Sequence, residues 1–454
     1  MKVLKFGGTS VEFAKNMRQV REILSIYKGE KILVVFSACR GITDLLIKLT
    51  DYAKNRDLND ITEVLHTIYS HHDQIVDELD FKNEFAREET QKEVSIIKGQ
   101  LRDIAHGITL LGELTERSRA KILSFGEILS TTIFAHYLAS HFSRSAFFDA
   151  RDVMTLQYDN ERSSVDFTST FAKCSAILSP HFKENDIIVT QGFIGSDNTG
   201  NSAVLSRGGS DYSAAVFAAA LSASEIQIWT DVPGICTSDP QYFPNAHTIP
   251  QMTFAEVRKL SFYGAKVLHP DTVSPAIDYN IPVRVLDTLK PNDSGTLLLN
   301  NPPISTPYIS AIAMNPYLYI SETKISEYGF ASDLRLILNG GTLYDLNVSC
   351  DQMRVIYAHP SLSERANRAY NHHYPEKNIV GYILVGYNLI PTPLNIELYN
   401  EIMRIVLEYS HDLLMIPSID SIAVYCYPEN PGQLYHALHD YIIKKFGTNE
   451  SIIN

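Results

Sequence analysis

The chain has 454 residues, 45% of them hydrophobic and 20% charged, which is enough apolar material for sizeable cores and excludes a largely disordered polymer. At roughly 150 residues per domain, that length predicts several domains rather than one small binding module. The 52 acidic residues against 39 basic ones leave a formal charge of −13, which repels a phosphate backbone at long range and argues against a nucleic-acid partner.

Short β-rich runs alternate with helical ones over about the first 285 residues, the pattern of a mostly parallel sheet between helices. Val3–Phe6 predicts a strand, Ser10–Tyr27 a helix, and the apolar run Lys31–Ser37 a second strand. Residues 58–141 read as a long helix-rich stretch, with apolar residues at helical spacing in Ile61–Ile68 and Ile122–Leu138. Strands return at Asp186–Gly192 and Ile226–Thr230, on either side of a small-residue helix at Asp211–Ala223, and Ile281–Leu286 closes the domain.

A polar, proline-bearing segment, Asp287–Pro307, then breaks the pattern. After it, Tyr317–Ser321 predicts a strand, Gly329–Gly340 a helix, and Asn347–Ser349 and Met353–Ala358 two strands. The same grammar follows with strand Ile379–Val385, helix Asn395–Tyr409, strands Leu413–Pro417 and Ser421–Tyr427, and helix Gln433–Phe446. A strand, helix, strand, strand layout met twice predicts two ferredoxin-like α+β units. The expected domains are therefore 1–290, a linker 291–307, and units at 308–375 and 376–454.

Cys39, Cys174, Cys236, Cys350 and Cys426 are widely spaced and form no CxxC pair, so neither a disulfide framework nor a zinc site is expected, and a reducing compartment fits. The opening MKVLKFGG lacks the apolar run of a secretory signal. The apolar stretch around Ala214–Leu221 is shorter than the roughly 20 residues of a bilayer helix. The expectation is a cytoplasmic protein with no membrane partner.

Four clusters carry chemistry. Lys5-Phe6-Gly7-Gly8-Thr9-Ser10 ends a strand in two glycines and opens a helix, so backbone N–H groups and a lysine could meet a phosphate; an ordinary tight turn has the same letters. Arg207-Gly208-Gly209-Ser210-Asp211 precedes a helix, with an arginine able to hold a carboxylate and an aspartate able either to cap the helix or to orient a lysine. Trp229 to Pro240, WTDVPGICTSDP, follows a strand directly, where open α/β sheets bind ligands, although it also has turn chemistry. Gly264-Ala265-Lys266-Val267 adds a second lysine beside a glycine. Two glycine-rich helix starts and two lysines suit phosphoryl transfer by positioning and electrostatics.

With these clusters go FSACRGITDLL at Phe36–Leu46, LSFGEILST at Leu123–Thr131 and FYGAKVLHP at Phe262–Pro270. Together they resemble the aspartate kinases of the amino-acid kinase family, whose motifs occur here in the same order across the first half. The resemblance implies an amino-acid kinase fold followed by two ACT-type domains. It also implies phosphorylation of the β-carboxylate of L-aspartate by ATP, the first step toward lysine, threonine, methionine and diaminopimelate.

By the same resemblance Lys5 would stabilise the transferring phosphoryl group, and Ser210 and Asp211 would line the site and position the lysine. Ser37, Thr43, Glu127, Arg207 and Ser210 would hold the amino acid, Glu127 facing its ammonium and Arg207 its α-carboxylate. Lys5, Gly7, Gly8, Thr230, Asp231, Cys236, Gln241, Lys266 and Val267 would surround the nucleotide, with Gly7, Gly8 and Ser37 supplying phosphate-facing donors. Mg2+ would ride on the nucleotide phosphates without a protein ligand. The departures are Cys236, where the family usually has tyrosine, and Gln241, where an arginine is usual; both predict altered nucleotide binding. ACT pairs imply an amino-acid effector and a homodimer or higher homo-oligomer, although Ser349–Arg354 and Ser418–Ser421 only partly match the usual effector segment. A catalytically silent sensor that keeps the kinase fold is the alternative.

Overall fold

The computed structural model describes residues 1–159, 162–206, 208–265, 268, 270–301, 308–324, 342–348, 352–358, 377–393 and 395–447. They divide into two compact units, the first formed by 1–235, 250–254 and 269–301 and the second by 236–249, 255–268 and 302–454.

The first unit is built on an eight-stranded sheet, in the order Gln251–Thr253, Thr296–Leu299, Val283–Asp287, Glu225–Thr230, Lys2–Phe6, Ile32–Phe36, Ile187–Gln191 and Ser145–Phe147. The six strands from Val283–Asp287 onward pair in parallel, and Thr296–Leu299 runs antiparallel to Val283–Asp287. Every residue of Ile32–Phe36 and Ile187–Gln191 is buried, as expected for strands covered on both faces. Helices Leu58–Glu78, Glu84–Leu111 and Glu116–His141 fill the helix-rich stretch. Glu116–His141 is long and apolar enough to cross a bilayer, but 89% of its apolar window is buried inside the protein. Its Phe134 stacks on Phe36 with ring centroids 4.3 Å apart, so it is a core helix.

Two expectations change here. Thr296–Leu299, inside the segment read as a linker, is a strand of this sheet, because Leu298 is fully buried while Leu297 and Leu299 are not. The helix expected over Ser10–Tyr27 is a short 3-10 turn at Gly8–Ser10 followed by an α-helix at Ala14–Ile26.

The second unit carries a six-stranded antiparallel sheet, in the order Thr342–Val348, Gln352–Ala358, Tyr308–Lys324, Lys377–Tyr387, Ser421–Cys426 and Leu413–Pro417. Helices Ile396–Leu407 and Pro431–Phe446 pack on its apolar core. The helix expected at Gly329–Gly340 lies outside the described residues, as does Ser349–Asp351.

Residues 236–249 belong to this unit rather than to the parallel sheet. Phe243, 1% exposed, sits in the second core, its ring 4.5 Å from that of Tyr435 and 4.6 Å from that of His439. Thr237 Oγ1 bonds His439 Nε2 at 3.0 Å, and the Ser238 hydroxyl donates to Tyr435 Oη at 2.7 Å. A single boundary near residue 290 therefore does not divide the chain.

Phe243→Ala is expected to cost about 3–5 kcal/mol and to lower amide-exchange protection in helix Pro431–Phe446. Tyr242→Ala, at a neighbour 67% exposed, should stay within about 0.5 kcal/mol. Protection lost from the parallel sheet instead would contradict the assignment of 236–249 to the second unit.

Candidate active site

The register aligns Phe6 with Phe36 and Trp229, Phe36 with Gln191, and Thr230 with Asp287. Five parallel strands thus end level with one another, and the residues that follow them, Gly7, Ser37, Gly192, Asp231 and Thr288, meet at one edge of the sheet. Ligands of open α/β sheets bind at this edge.

Lys5 is the penultimate residue of the central strand, between buried Leu4 and Phe6. Its Nζ lies 2.6 Å from Asp211 Oδ1, and both side chains are largely covered, at 12% and 18% exposed. Asp211 stands in the first turn of helix Gly209–Ala220. That helix start presses on the strand end: a Cβ at Gly192 would lie 2.7 Å from Ser210 Cβ, so only glycine lets Ser210 and Asp211 come this close. Phe193, next in the chain, holds a φ of 63°, an uncommon left-handed backbone for a bulky residue. Its N–H donates to Ser213 Oγ at 3.0 Å.

Glu127 comes from the middle of the core helix Glu116–His141 and is 3% exposed. The Ala38 N–H donates to its Oε1 at 3.1 Å, while Oε2 has no hydrogen-bond partner among the described residues. A Cβ at Gly126 would lie 2.8 Å from Ala38 Cβ, so glycine there lets the helix reach this turn. Burial pushes the Glu127 carboxyl up to about 8, opposed by the Ala38 N–H and by the Lys5 charge. The structure thus holds a paired cation and anion, together with a buried carboxyl whose second oxygen awaits a donor.

The other predicted residues are placed unevenly. Ser210 is half-buried beside Asp211, and Thr43 is half-buried in helix Ile42–Asn55. Thr230 ends its strand and donates from Oγ1 to Asp231 Oδ1 at 3.1 Å. The Gly7 N–H donates to Trp229 O at 3.1 Å and the Ser37 N–H to Phe6 O at 3.2 Å. These two amides are therefore engaged, because the strand ends close on one another. Cys236 and Gln241 lie in the second unit; the Gln241 N–H donates to Asp239 Oδ1 at 2.9 Å. Arg207, Lys266 and Val267 lie outside the described residues.

Two further residues brace the site. Ser130 donates to Ser37 O at 2.8 Å, and its position one helical turn after Glu127 was a readable signal. Thr288 Oγ1 lies 2.6 Å from Ser10 Oγ across 278 positions, a pairing that no sequence pattern announces. Among the described residues no three His, Cys, Asp or Glu side chains group to hold a metal.

The model of the amino acid kinase family matches residues 1–287. Lysine-sensitive aspartokinase 3 of Escherichia coli is 36% identical over 310 residues, 66% of this chain and 65% of that protein. The chain thus spans just under two thirds of that curated relative. Among solved structures, E. coli aspartokinase III in complex with lysine and aspartate, in the T-state, superposes with a TM-score of 0.80 at 27% identity, covering 97% of this chain and 99% of that one. The same enzyme in complex with aspartate and ADP, in the R-state, gives 0.73 at 27% identity, covering 98% and 100%.

A carboxyl whose folded pKa lies above its unfolded value binds its proton more tightly when folded. Glu127 therefore stabilises the unliganded protein fully below the ordinary value of 4.5, and that contribution is lost as pH rises to about 8. Relative to Glu127→Gln, the wild-type chain should lose on the order of a few kcal/mol of stability between about pH 5 and pH 9. Paired urea titrations showing a constant difference across that range would contradict the raised pKa.

Proposed function

The chain belongs to the amino acid kinase family, and we propose that it is an aspartate kinase, transferring the γ-phosphoryl group of ATP to the β-carboxylate of L-aspartate. The Lys5–Asp211 pair at the carboxyl end of the central strand carries the proposal. A largely covered ammonium, oriented by a carboxylate, suits a transition state that spreads negative charge over phosphoryl oxygens. Support also comes from the E. coli structures described with aspartate and with aspartate and ADP.

The β-carboxylate is ionised at neutral pH, so its attack needs no general base. One of its oxygens bonds to the γ-phosphorus as the bond to the β,γ-bridging oxygen breaks. ADP leaves with that electron pair, and the product is an acyl phosphate. Lys5 neutralises the developing charge and Asp211 holds its Nζ in place. The buried Glu127 supplies Oε2 to the substrate ammonium, whose charge would restore the ionised carboxylate. Thr43, Arg207 and Ser210 complete the amino-acid site, with Arg207 on the α-carboxylate. Gly8, Thr230 and Asp231 face the nucleotide, as do Cys236, Gln241, Lys266 and Val267. Magnesium is carried on the phosphates.

In this proposal the antiparallel sheet of the second unit is a pair of ACT modules, over 308–375 and 376–454, that senses an amino acid. The lysine-bound T-state of the E. coli enzyme supports that role. The protein would act in the cytoplasm as a homodimer or larger homo-oligomer, at the head of lysine, threonine and methionine synthesis.

Hydroxylamine trapping with purified full chain, MgATP and L-aspartate should yield aspartyl hydroxamate, with none when aspartate is omitted. Lys5→Ala should lower kcat by about 10²- to 10³-fold, with a smaller change in the KM for ATP. Hydroxamate absent from folded wild-type protein would favour a silent sensor. Signal only with L-glutamate would keep the chemistry and change the substrate, and near-normal turnover in Lys5→Ala would remove Lys5 from its role.

A further inference from the structure

A cavity of about 440 Å³ lies between helices Glu84–Leu111 and Glu116–His141, at the end of the edge strand Ser145–Phe147. That volume is within the range of small-molecule sites. Neither Lys5, Glu127 nor Asp211 lines it.

Its helical walls are apolar where Ile97 on one helix and Phe125 and Ile128 on the other line it. The sheet contributes Gln191, fully buried at the end of its strand. Gln191 Oε1 accepts the Ala150 N–H at 2.8 Å, which settles the orientation of the amide and leaves Nε2 as the donor. That Nε2 is buried with no hydrogen-bond partner among the described residues, an expensive arrangement for a structural residue.

Three cations also line the cavity, Lys92, Lys121 and Arg151. Arg151 Nη1 and Lys121 Nζ both reach Ser202 Oγ, at 3.2 and 3.5 Å. Arg151 is neutralised by a fork on Asp149, with Nε to Oδ1 at 2.9 Å and Nη2 to Oδ2 at 2.6 Å. Lys121 has no carboxylate at ion-pair distance among the described residues; burial and the Arg151 charge lower its pKa, opposed by the Asp149 charge. Of the acids lining the cavity from the first helix, Glu93 is held by His136 at 2.6 Å and Glu89 lies 3.7 Å from Lys92. Among the described residues the cavity therefore presents an ammonium with no carboxylate at ion-pair distance and a buried amide donor without a partner, under an apolar wall.

We propose that this cavity binds a small monocarboxylate with a short apolar body, its carboxylate taken by Lys121 and the Gln191 amide and its apolar part lying against Phe125 and Ile128. The two donors supply orientation and the apolar wall excludes water from the ion pair. The site is independent of the proposed kinase activity, since its residues are outside that machinery.

Calorimetric titration of the full chain with 3-phenylpropanoate tests it, with 3-phenylpropanamide as the uncharged probe. One saturable site for the acid is expected, with the amide, Lys121→Met and Gln191→Glu each weakening binding about tenfold or more. Gln191→Glu keeps the shape while setting a second negative charge against the ligand, so its result stands even if Lys121→Met is poorly folded. Lys5→Ala should leave the affinity unchanged; loss of binding there would place the acid at the sheet edge and overturn the proposal. Equal affinity for acid and amide would reduce the cavity to an apolar crevice, and no saturation by about 10 mM would leave the Gln191 amide to a water; either result overturns it.

Discussion

The register that sets Phe6 level with Phe36 and Trp229 is the constraint on which the site depends. Side chains alternate along a strand, so a slip of one residue would turn Lys5 to the other face. Its neighbours Leu4 and Phe6 are both fully buried, so such a slip would force an ammonium into the core and expel a ring. Burial of the flanking side chains thus fixes the place of the one cation on this strand end. The same register brings the ends of Ile32–Phe36, Ile187–Gln191 and Glu225–Thr230 to that edge, and with them the glycines and hydroxyls that follow.

Electrostatics at this edge is compensated only in part. Lys5 and Asp211 compensate one another at 2.6 Å, but Glu127 is buried with one oxygen held by a single backbone N–H and the other unmet among the described residues. A carboxyl in that position favours its neutral form until a cation arrives. The left-handed Phe193 and the close approach of Gly192 to Ser210 are further departures from relaxed geometry beside the same edge. Their joint effect is to hold Asp211 where it can reach Lys5 without rearrangement.

The second unit shows how contacts can divide a motif that reads as continuous. Trp229–Ile235 belongs with the parallel sheet, whereas Cys236–Ile249 belongs with the antiparallel one. Phe243 is the physical cause, since its ring is enclosed by Tyr435, His436 and His439. Glu256 makes the same kind of attachment for the following segment by accepting from Ser310 at 2.7 Å. A motif that is continuous in the sequence is therefore divided between two compact units.

The strands and helices of the parallel sheet were legible because their apolar runs have lengths and flanks that only one element type satisfies. Lys5 and Asp211 stood out in the glycine-rich clusters and Glu127 through the family resemblance, and the grammar of the C-terminal strands and helices matched closely at Leu413–Pro417 and Pro431–Phe446. The short strands Gln251–Thr253 and Thr296–Leu299 were not legible, because three or four residues carry too little periodicity to be told from a loop. Nor were the engaged amides of Gly7 and Ser37, the bond from Ser10 to Thr288, or the cavity around Gln191. The sequence by itself determined the longer elements and the residue types near their ends, since these follow from local pattern and from turn chemistry. Only the tertiary structure decided which donors remain free, which carboxyl is desolvated and to which unit each segment belongs, since those depend on contacts between residues far apart in the chain.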